Sequence, residues 1–523
     1  MTTTNSLFRK HNLLMLAIAC ISGLALSPKW TILIAAWISP AAWLYLTRKT
    51  KLWQIIVVFI ILQSIITTIG NLDIMPLPLT VMIAFNLIGS AISLIPYLSD
   101  RFMAGRVNRV LHSLIFPSVM TLCTYLFSQG PSGTWGNISY TQSGWPILMQ
   151  FASVGGIWGV SFLIYWFAPV IIDVIERRSI RQRSSIVYLT CFVGIMGYGL
   201  IRLNMPADNN KSIAITGIVA NPLSIGEALY EAEYGETVKI HPRISQSDPL
   251  IIKLNEAYID FLKDPFNPVY SAVIRSFDTN ANELFERAER ITQADNQVIA
   301  WSEGAFSTIK PLEEKLIGRA RAFAMESSNT IYFPMAVFRP GEILPGIPFI
   351  ENKILIITPD GETVTTYFKN VPIKGVEPSF PGDGNIPVLK LNDINISPAI
   401  CYDADFPNLI SQTGNKQVDL LILPSSDWYA IREIHATMAS IRSIENDLTI
   451  FRPTANGNTL AIDGRGRILS KNSSFSGFDG IYLSQLPIGG NTTLYSQIPM
   501  AIPLISSLIL ILGIILSVAR KTV

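Results

Sequence analysis

Eight stretches of this 523-residue chain are apolar and almost free of charge, and where they fall constrains everything else. A membrane-crossing helix needs about 20 mainly apolar residues. The stretches lie near 12–27, 31–47, 53–71, 77–98, 110–127, 147–172, 185–201 and 498–519, the first two parted only by the turn Ser27-Pro28-Lys29-Trp30. Seven precede residue 204 and one follows residue 497, so the region between them must lie on a single side of a bilayer. The expected organisation is a membrane domain of seven helices over 1–203, an extramembrane domain over 204–496, and an eighth helix with a short tail over 497–523.

Basic residues say which side. Arg9 and Lys10 precede the first stretch, Arg48, Lys49 and Lys51 follow the second, and Arg101, Arg106 and Arg109 follow the fourth. Arg177, Arg178, Arg181 and Arg183 follow the sixth, and Arg520 and Lys521 end the chain. The short loops on the other face carry Lys29, with Arg202 at the exit of the seventh, and the loop 128–146 has no Lys or Arg. Lys and Arg collect on the cytoplasmic side, so both termini are expected there and 204–496 faces outward. A cleaved signal peptide is the rival reading of Arg9–Leu26, but removing that stretch breaks the alternation.

Charge divides in the same place. Residues 1–203 hold 14 Lys/Arg against 4 Asp/Glu and the remainder 26 against 34, so the net +2 is +10 and −8 added together. The chain is 49% apolar and 15% charged, against roughly 25% charged for soluble domains. An acidic extramembrane part excludes a nucleic-acid binder, which needs clustered basic charge. Transport is disfavoured because the apolar stretches hold Asp, Glu, Lys or Arg only near their ends.

Between 212 and 488, short β-rich runs alternate with turns and a few helical stretches, which implies a layered α/β domain. Ile213–Ala220 and 297–301 read as strands, and Ile354–Thr358 with Thr363–Phe368 as a hairpin around Asp360-Gly361. Pro387–Leu391 and Ile394–Ile400 form another pair, and Val418–Leu423, Leu448–Arg452 and Asn458–Ile462 read as further strands. Ile434, Met438, Ile441 and Ile444 stand at helical spacing, giving a helix over 433–446. The segment 222–295 is polar and weakly periodic, and is assigned no element.

Cys20, Cys123 and Cys191 lie in apolar stretches, which leaves Cys401 alone in the outer domain with no disulfide partner. A lone thiol there is either a buried inert group or a nucleophile, and a nucleophile needs a base. Of four histidines, His11 and His112 belong to the membrane part; His241 and His435 remain, and His435 opens the predicted helix, where a structural role is the simpler reading. Carboxylates and lysines at strand ends are the better supply. Glu303 follows Val-Ile-Ala-Trp-Ser, Lys369 follows Thr-Val-Thr-Thr-Tyr-Phe, and Cys401 follows Asn-Ile-Ser-Pro-Ala-Ile. No His/Cys cluster has metal-ligand spacing, so neither a metal nor a cofactor is expected.

The order Glu, Lys, Cys in the contexts W-S-E-G-A, Y-F-K and A-I-C-Y-D-A-D-F-P resembles the nitrilase superfamily. With seven apolar stretches before it and one after, the chain looks like its membrane-embedded apolipoprotein N-acyltransferase family. S-G-T-W-G-N-I-S-Y at 132–140, G-G-I-W-G-V-S-F-L at 155–163, L-P-S-S-D-W at 423–428, M-A-S-I-R-S-I-E at 438–445 and T-A-N-G-N-T at 454–459 extend the resemblance. It implies a multi-pass bacterial inner-membrane enzyme, a monomer, whose outer domain is an α-β-β-α nitrilase-like fold in the periplasm. Its implied reaction moves the sn-1 acyl chain of a phospholipid to Cys401 as a thioester, then to the α-amine of a diacylglyceryl-cysteine lipoprotein. Glu303 is the implied base, and Lys369 with a backbone N–H near Tyr402 the implied oxyanion donors.

Departures from the family pattern leave choices open. Lys374 stands five residues after Lys369 in a rearranged loop, and Glu377 is either a supporting acid or the partner of a nearby cation. Asp403 replaces the usual Glu, and Ser425-Ser426-Asp427-Trp428-Tyr429 lacks one residue of the family's segment. Trp428, Tyr429 and Phe406 either contact lipid or pack the core. A carbon–nitrogen hydrolase with another acceptor, and a non-catalytic membrane binding protein, are the competing readings.

Overall fold

The computed structural model describes residues 6–205, 211–220, 223–290, 298–476, 480–490 and 492–519. Gln297 and the terminal Arg520 and Lys521 lie outside them. The chain divides into two units, residues 1–205 with 493–523, and residues 206–492.

In the first unit a helix occupies each of the eight apolar stretches, but only six are long and apolar enough to cross a membrane: Leu52–Asn71, Leu79–Met103, Arg109–Ser128, Ala152–Arg177, Arg183–Asn204 and Ala501–Ala519. Six such helices are found among the described residues where eight spans are expected. Lys10–Leu26 has 17 residues and Ala35–Lys49 has 15, because the backbone turns through 27–34, past the expected turn at 27–30 and into the start of the second stretch. The basic ends of these helices are neutralised where they are buried. Arg48 makes a two-point ion pair with the fully buried Asp100, at 2.7 and 2.8 Å, and approaches Asp173 at 3.5 Å. That pairing follows from the cost of an unpaired ion away from water.

The second unit has fifteen strands: β1 (Lys211–Ile218), β2 (Val298–Trp301), β3 (Phe306–Ile309), β4 (Thr330–Phe338), β5 (Ile350–Ile357), β6 (Thr363–Phe368), β7 (Leu389–Leu391), β8 (Ile394–Pro398), β9 (Leu420–Ile422), β10 (Ser425–Ser426), β11 (Thr449–Arg452), β12 (Thr454–Ala455), β13 (Asn458–Ile462), β14 (Ile468–Ser473) and β15 (Ile481–Ile488). One sheet has the order β15-β1-β2-β4-β5-β6 with β3 beside β4, and the other β14-β13-β11-β9-β8-β7. Their facing sides share one core, in which Ile215, Ala300, Tyr332 and Ile354 of the first sheet meet Ile396, Leu420, Ile422 and Phe451 of the second. The outer face of the first sheet is covered by helices Ser271–Glu289 and Glu313–Ser327. Pro407–Asn415 and Arg432–Asn446 cover the second. The result is the α-β-β-α layering that strands apolar on both faces require.

Of the segment 222–295, to which the sequence assigns no element, the described residues 223–290 include the α-helices Leu223–Tyr234, Pro249–Lys263 and Ser271–Glu289. The last buries Val273, Phe277, Ala281, Leu284, Phe285 and Ala288, a helical spacing diluted by the charged residues between.

An ionic cluster ties β4 and β5 to the helix below. Glu351 lies beside Lys310, Arg339 and Lys353, and Lys353 also reaches Glu313. Burial raises the Glu351 pKa, but hydrogen bonds from Lys353, Arg339 and Lys310 outweigh it and hold the carboxyl down to about 2. A depressed carboxylate stabilises the fold fully above its unfolded value, 4.5, and the contribution is lost as pH falls through about 2. Glu351→Gln strands the buried Lys353 with one partner fewer. It is expected to destabilise the domain by about 2–4 kcal/mol and to raise the midpoint of acid unfolding followed by tryptophan fluorescence. An unchanged midpoint would show that the cluster contributes nothing.

Candidate active site

Glu303 leaves the end of β2. Ser302 anchors that end to β1, its N–H donating to Ile218 O at 2.9 Å and its Oγ accepting from Ala220 N at 3.0 Å. Gly304 follows with φ +61°, a conformation that glycine adopts without a Cβ clash, and turns the chain just after Glu303. Lys369 leaves β6 on the same sheet, its backbone N–H bonded to Asn352 O at 2.9 Å.

These two meet directly. Lys369 Nζ donates to Glu303 Oε1 at 2.8 Å and to Glu377 Oε2 at 2.6 Å. Asn352 Nδ2 donates to both carboxylates, at 2.8 Å to Glu303 and 2.7 Å to Glu377. Ser379 Oγ donates to Glu377 Oε1 at 3.1 Å. Lys369 is 2% exposed. Burial lowers its pKa, yet Glu303 and Glu377 outweigh that and hold it well above the usual lysine range. Burial likewise raises Glu377, and Lys369 brings it below the ordinary carboxylate value. Lys374 is exposed in the loop beyond, so Lys369 and not Lys374 faces the acids.

Cys401 comes from the second sheet. It opens a 3₁₀ turn, Cys401–Asp405, after β8, and has φ +47°, a backbone conformation that non-glycine residues hold only when the surroundings enforce it. Asp403 enforces it. Its carboxylate accepts from Ile400 N at 3.0 Å, Val371 N at 2.8 Å and Tyr367 Oη at 2.7 Å, joining the turn to the Lys369 loop. Burial pushes Asp403 up to about 6, and those three donors oppose it. Cys401 Sγ lies 3.7 Å from Ser426 O, while Ser426 N donates to Glu303 Oε2 at 2.9 Å. One residue of β10 thus bridges acid and thiol. Burial and then Glu303 push the thiol well above its ordinary pKa, with Lys369 acting against them.

The structure therefore gathers Glu303, Lys369, Glu377 and Cys401 into one water-poor site, with Asp403 beneath the thiol's turn. Tyr402 is buried against Phe406, ring centroids 5.4 Å apart and nearly perpendicular. Phe406 also packs on the core of the second sheet. Trp428 is half-buried one residue beyond Asp427, and the Tyr429 ring is covered by the Arg432 and Arg243 guanidinium groups at 3.8 and 4.9 Å. His241 is exposed. Asn352 contributes an amide that no motif announces, and Ser426, though within L-P-S-S-D-W, acts through its backbone N–H and carbonyl, which the motif does not reveal.

His435 is buried, and a ring nitrogen, an Asp427 carboxylate oxygen and Cys401 Sγ lie within 4.8 Å of one another, a grouping invisible in the spacing. Arg452 NH2 sits 2.9 Å from His435 Nδ1 and 2.8 Å from Asp427 Oδ1, a cation already paired with two of the three groups.

Two family models match the chain. The apolipoprotein N-acyltransferase N-terminal domain matches residues 18–170, and carbon-nitrogen hydrolase matches 277–501. Among similar proteins, the apolipoprotein N-acyltransferase of Rickettsia prowazekii is 24% identical over 482 residues, covering 88% of this chain and 89% of its own. Apolipoprotein N-acyltransferase 1 of Treponema denticola is 23% identical over 439 residues, 78% of each chain. Among solved structures, an amidase from Nesterenkonia sp. aligns at 15% identity and a TM-score of 0.35 over 54% of this chain and 93% of its own. The chain thus carries an apolipoprotein N-acyltransferase N-terminal domain followed by a carbon-nitrogen hydrolase domain, and is similar to apolipoprotein N-acyltransferases along most of its length.

Proposed function

We propose that this protein N-acylates lipoproteins by a ping-pong reaction on Cys401, with Glu303 as base and Lys369 as electrostatic partner. The observation that carries the reading is the junction at Ser426, whose backbone N–H holds the Glu303 carboxylate and whose carbonyl oxygen holds the Cys401 thiol while Lys369 sits on the same carboxylate.

The thiol is pushed up in the resting site, so a free thiolate is disfavoured and deprotonation must accompany attack. Glu303 takes the Sγ proton as sulfur bonds to the ester carbonyl carbon of the phospholipid. The oxyanion of the tetrahedral intermediate is stabilised by the Lys369 ammonium and a backbone N–H near Tyr402. Collapse breaks the ester C–O bond, and the departing glycerol oxygen takes the proton back from Glu303, leaving a lysophospholipid and a thioester. The α-amine of a diacylglyceryl-cysteine then attacks the thioester, Glu303 accepts the amine proton, and collapse expels the thiolate, which is reprotonated. Glu377 keeps Lys369 in place and charged. Asp403, one methylene shorter than the family's usual glutamate, holds the nucleophile's turn.

Both substrates are lipid-anchored, and the apolar helices before and after the domain in sequence tether the site to the membrane that holds them. The alternation of basic loops supports a bacterial inner-membrane protein with cytoplasmic termini and a periplasmic catalytic domain, acting as a monomer without cofactor. The test is the second half-reaction. Enzyme loaded with acyl chain from phospholipid and freed of donor is expected to discharge onto a synthetic diacylated lipopeptide, at least about 100-fold faster than in buffer alone. The product is an amide, read by mass spectrometry. Discharge at the same rate with and without lipopeptide would instead favour a membrane-anchored hydrolase.

A further inference from the structure

Next to Cys401 lies a second buried group of charges that the reaction above does not use. Asp427 follows β10, whose pairing with β12 fixes its backbone, N–H to Ala455 O at 2.9 Å. His435 is on the first turn of the helix Arg432–Asn446, Asp405 ends the nucleophile's own 3₁₀ turn, and Arg452 ends β11. Four separate elements thus send ionisable side chains to one place, and the side chains of Asp405, Asp427 and Arg452 have no solvent exposure, that of His435 only 2%. Gly457 has no side chain at the point where Asp427 Oδ2 approaches, and a Cβ there would collide with it. The motifs L-P-S-S-D-W and T-A-N-G-N-T are, in this reading, the two walls of the group.

Contacts set the protonation of the imidazole. Nδ1 lies 2.7 Å from Asp427 Oδ1 and Nε2 3.3 Å from Asp405 Oδ1. Carboxylate oxygens only accept, which favours a ring carrying both protons; Arg452 NH2, a donor 2.9 Å from Nδ1, opposes this, and the two acids outweigh it. Arg452 NH2 donates to the same Asp427 oxygen at 2.8 Å, and NH1 to Thr454 Oγ1 at 3.0 Å. Two carboxylates are then balanced by one guanidinium and one imidazolium. With a neutral His435 the group would carry one net negative charge beside the sulfur, adding to that of Glu303.

We propose that His435 is a positioning residue, a buried imidazolium that offsets Asp405 and Asp427 behind Cys401 and so sets how readily the thiol gives up its proton. The inference rests on Cys401 being the nucleophile. The groups facing His435 are Asp405, Asp427 and Arg452, with Cys401 within 4.8 Å, and Glu303 and Lys369 act on the same sulfur. Burial lowers the His435 pKa, but Asp427 and Asp405 outweigh it and raise it from 6.5 to about 9. By linkage its contribution is complete below 6.5 and is lost as pH rises through about 9.

The experiment is the rate of Cys401 alkylation by iodoacetamide in the full-length protein in detergent, from pH 6 to 10, followed by mass spectrometry of the Cys401 peptide. His435→Gln keeps polar atoms but cannot be charged. It is expected to slow alkylation on the order of tenfold at pH 7, with the difference closing toward pH 10, where wild-type His435 has lost its own proton. A merely structural role predicts one ratio at every pH, and that result, or coincident profiles, would overturn the proposal. Asp405→Asn removes a negative charge from the same group, so at pH 6 it is expected to react at or above the wild-type rate; slower reaction would also count against it. If Cys401 of the wild type is inert at every pH while the unfolded chain is labelled, it is the nucleophile assignment that fails, and the inference with it.

Discussion

Replacing Lys369 by methionine is expected to lower acyl transfer by at least about a thousandfold and to destabilise the catalytic domain by about 3–5 kcal/mol. The side chain lies between two carboxylates, 2.8 Å from Glu303 and 2.6 Å from Glu377, in a place that water does not reach. Methionine has similar length and no charge, so the two acids are left facing each other with only Asn352 between them. Their repulsion reverses the sign of the pH dependence. In the wild type Glu377 is held low, so its contribution is lost as pH falls; in Lys369→Met, protonation relieves the repulsion and thermal stability is expected to rise from pH 7 to pH 5. Adding Glu377→Gln to Lys369→Met is expected to restore part of the stability and none of the activity. Thermal unfolding beside a transfer assay reads both. If Lys369→Met kept more than a tenth of wild-type transfer, the lysine would be a structural ion-pair partner only.

Replacing Cys401 by alanine is expected to remove acyl transfer altogether, by about 10⁴-fold or more, while the protein folds and melts within a few degrees of the wild type. The turn Cys401–Asp405 is held by Asp403 through Ile400 N, Val371 N and Tyr367 Oη, none of which involves the sulfur. Loss of function without loss of fold separates a nucleophile from a buried inert thiol, which would leave transfer intact when shortened to a methyl.

Much of this was legible in the chain because the signals are local. An apolar run among polar loops is a helix in a membrane or a core whatever surrounds it, and each of the eight runs is helical. The first two helices are shorter than the runs suggest because residues 27–34 turn, and apolarity alone does not show where a helix stops. Asp360-Gly361 announces a hairpin because Gly361 must take φ +81°, and the strands on either side pair as expected. The helix Ser271–Glu289 escaped because Arg275, Asp278, Glu283 and Glu286 interrupt its apolar stripe. At the site, Glu303, Lys369 and Cys401 stand at strand ends, where a two-sheet fold naturally collects chemistry. Asn352, Ser426 and His435 did not stand out, since their place depends on which strands pair. Asn352 is opposite Ala336 in the β4–β5 ladder, and Ser426 opposite Ala455 in β10–β12. No spacing along one strand encodes those partners.

The central claim is that the acyl chain rests on Cys401, and intact-protein mass spectrometry tests it most directly. Wild type and Cys401→Ser are incubated with phospholipid alone, without lipopeptide. The wild type is expected to gain the mass of one fatty-acyl group, removed by neutral hydroxylamine as a thioester is, and Cys401→Ser to gain none. No adduct on the wild type with any phospholipid offered, or an equal adduct on Cys401→Ser, would contradict the account.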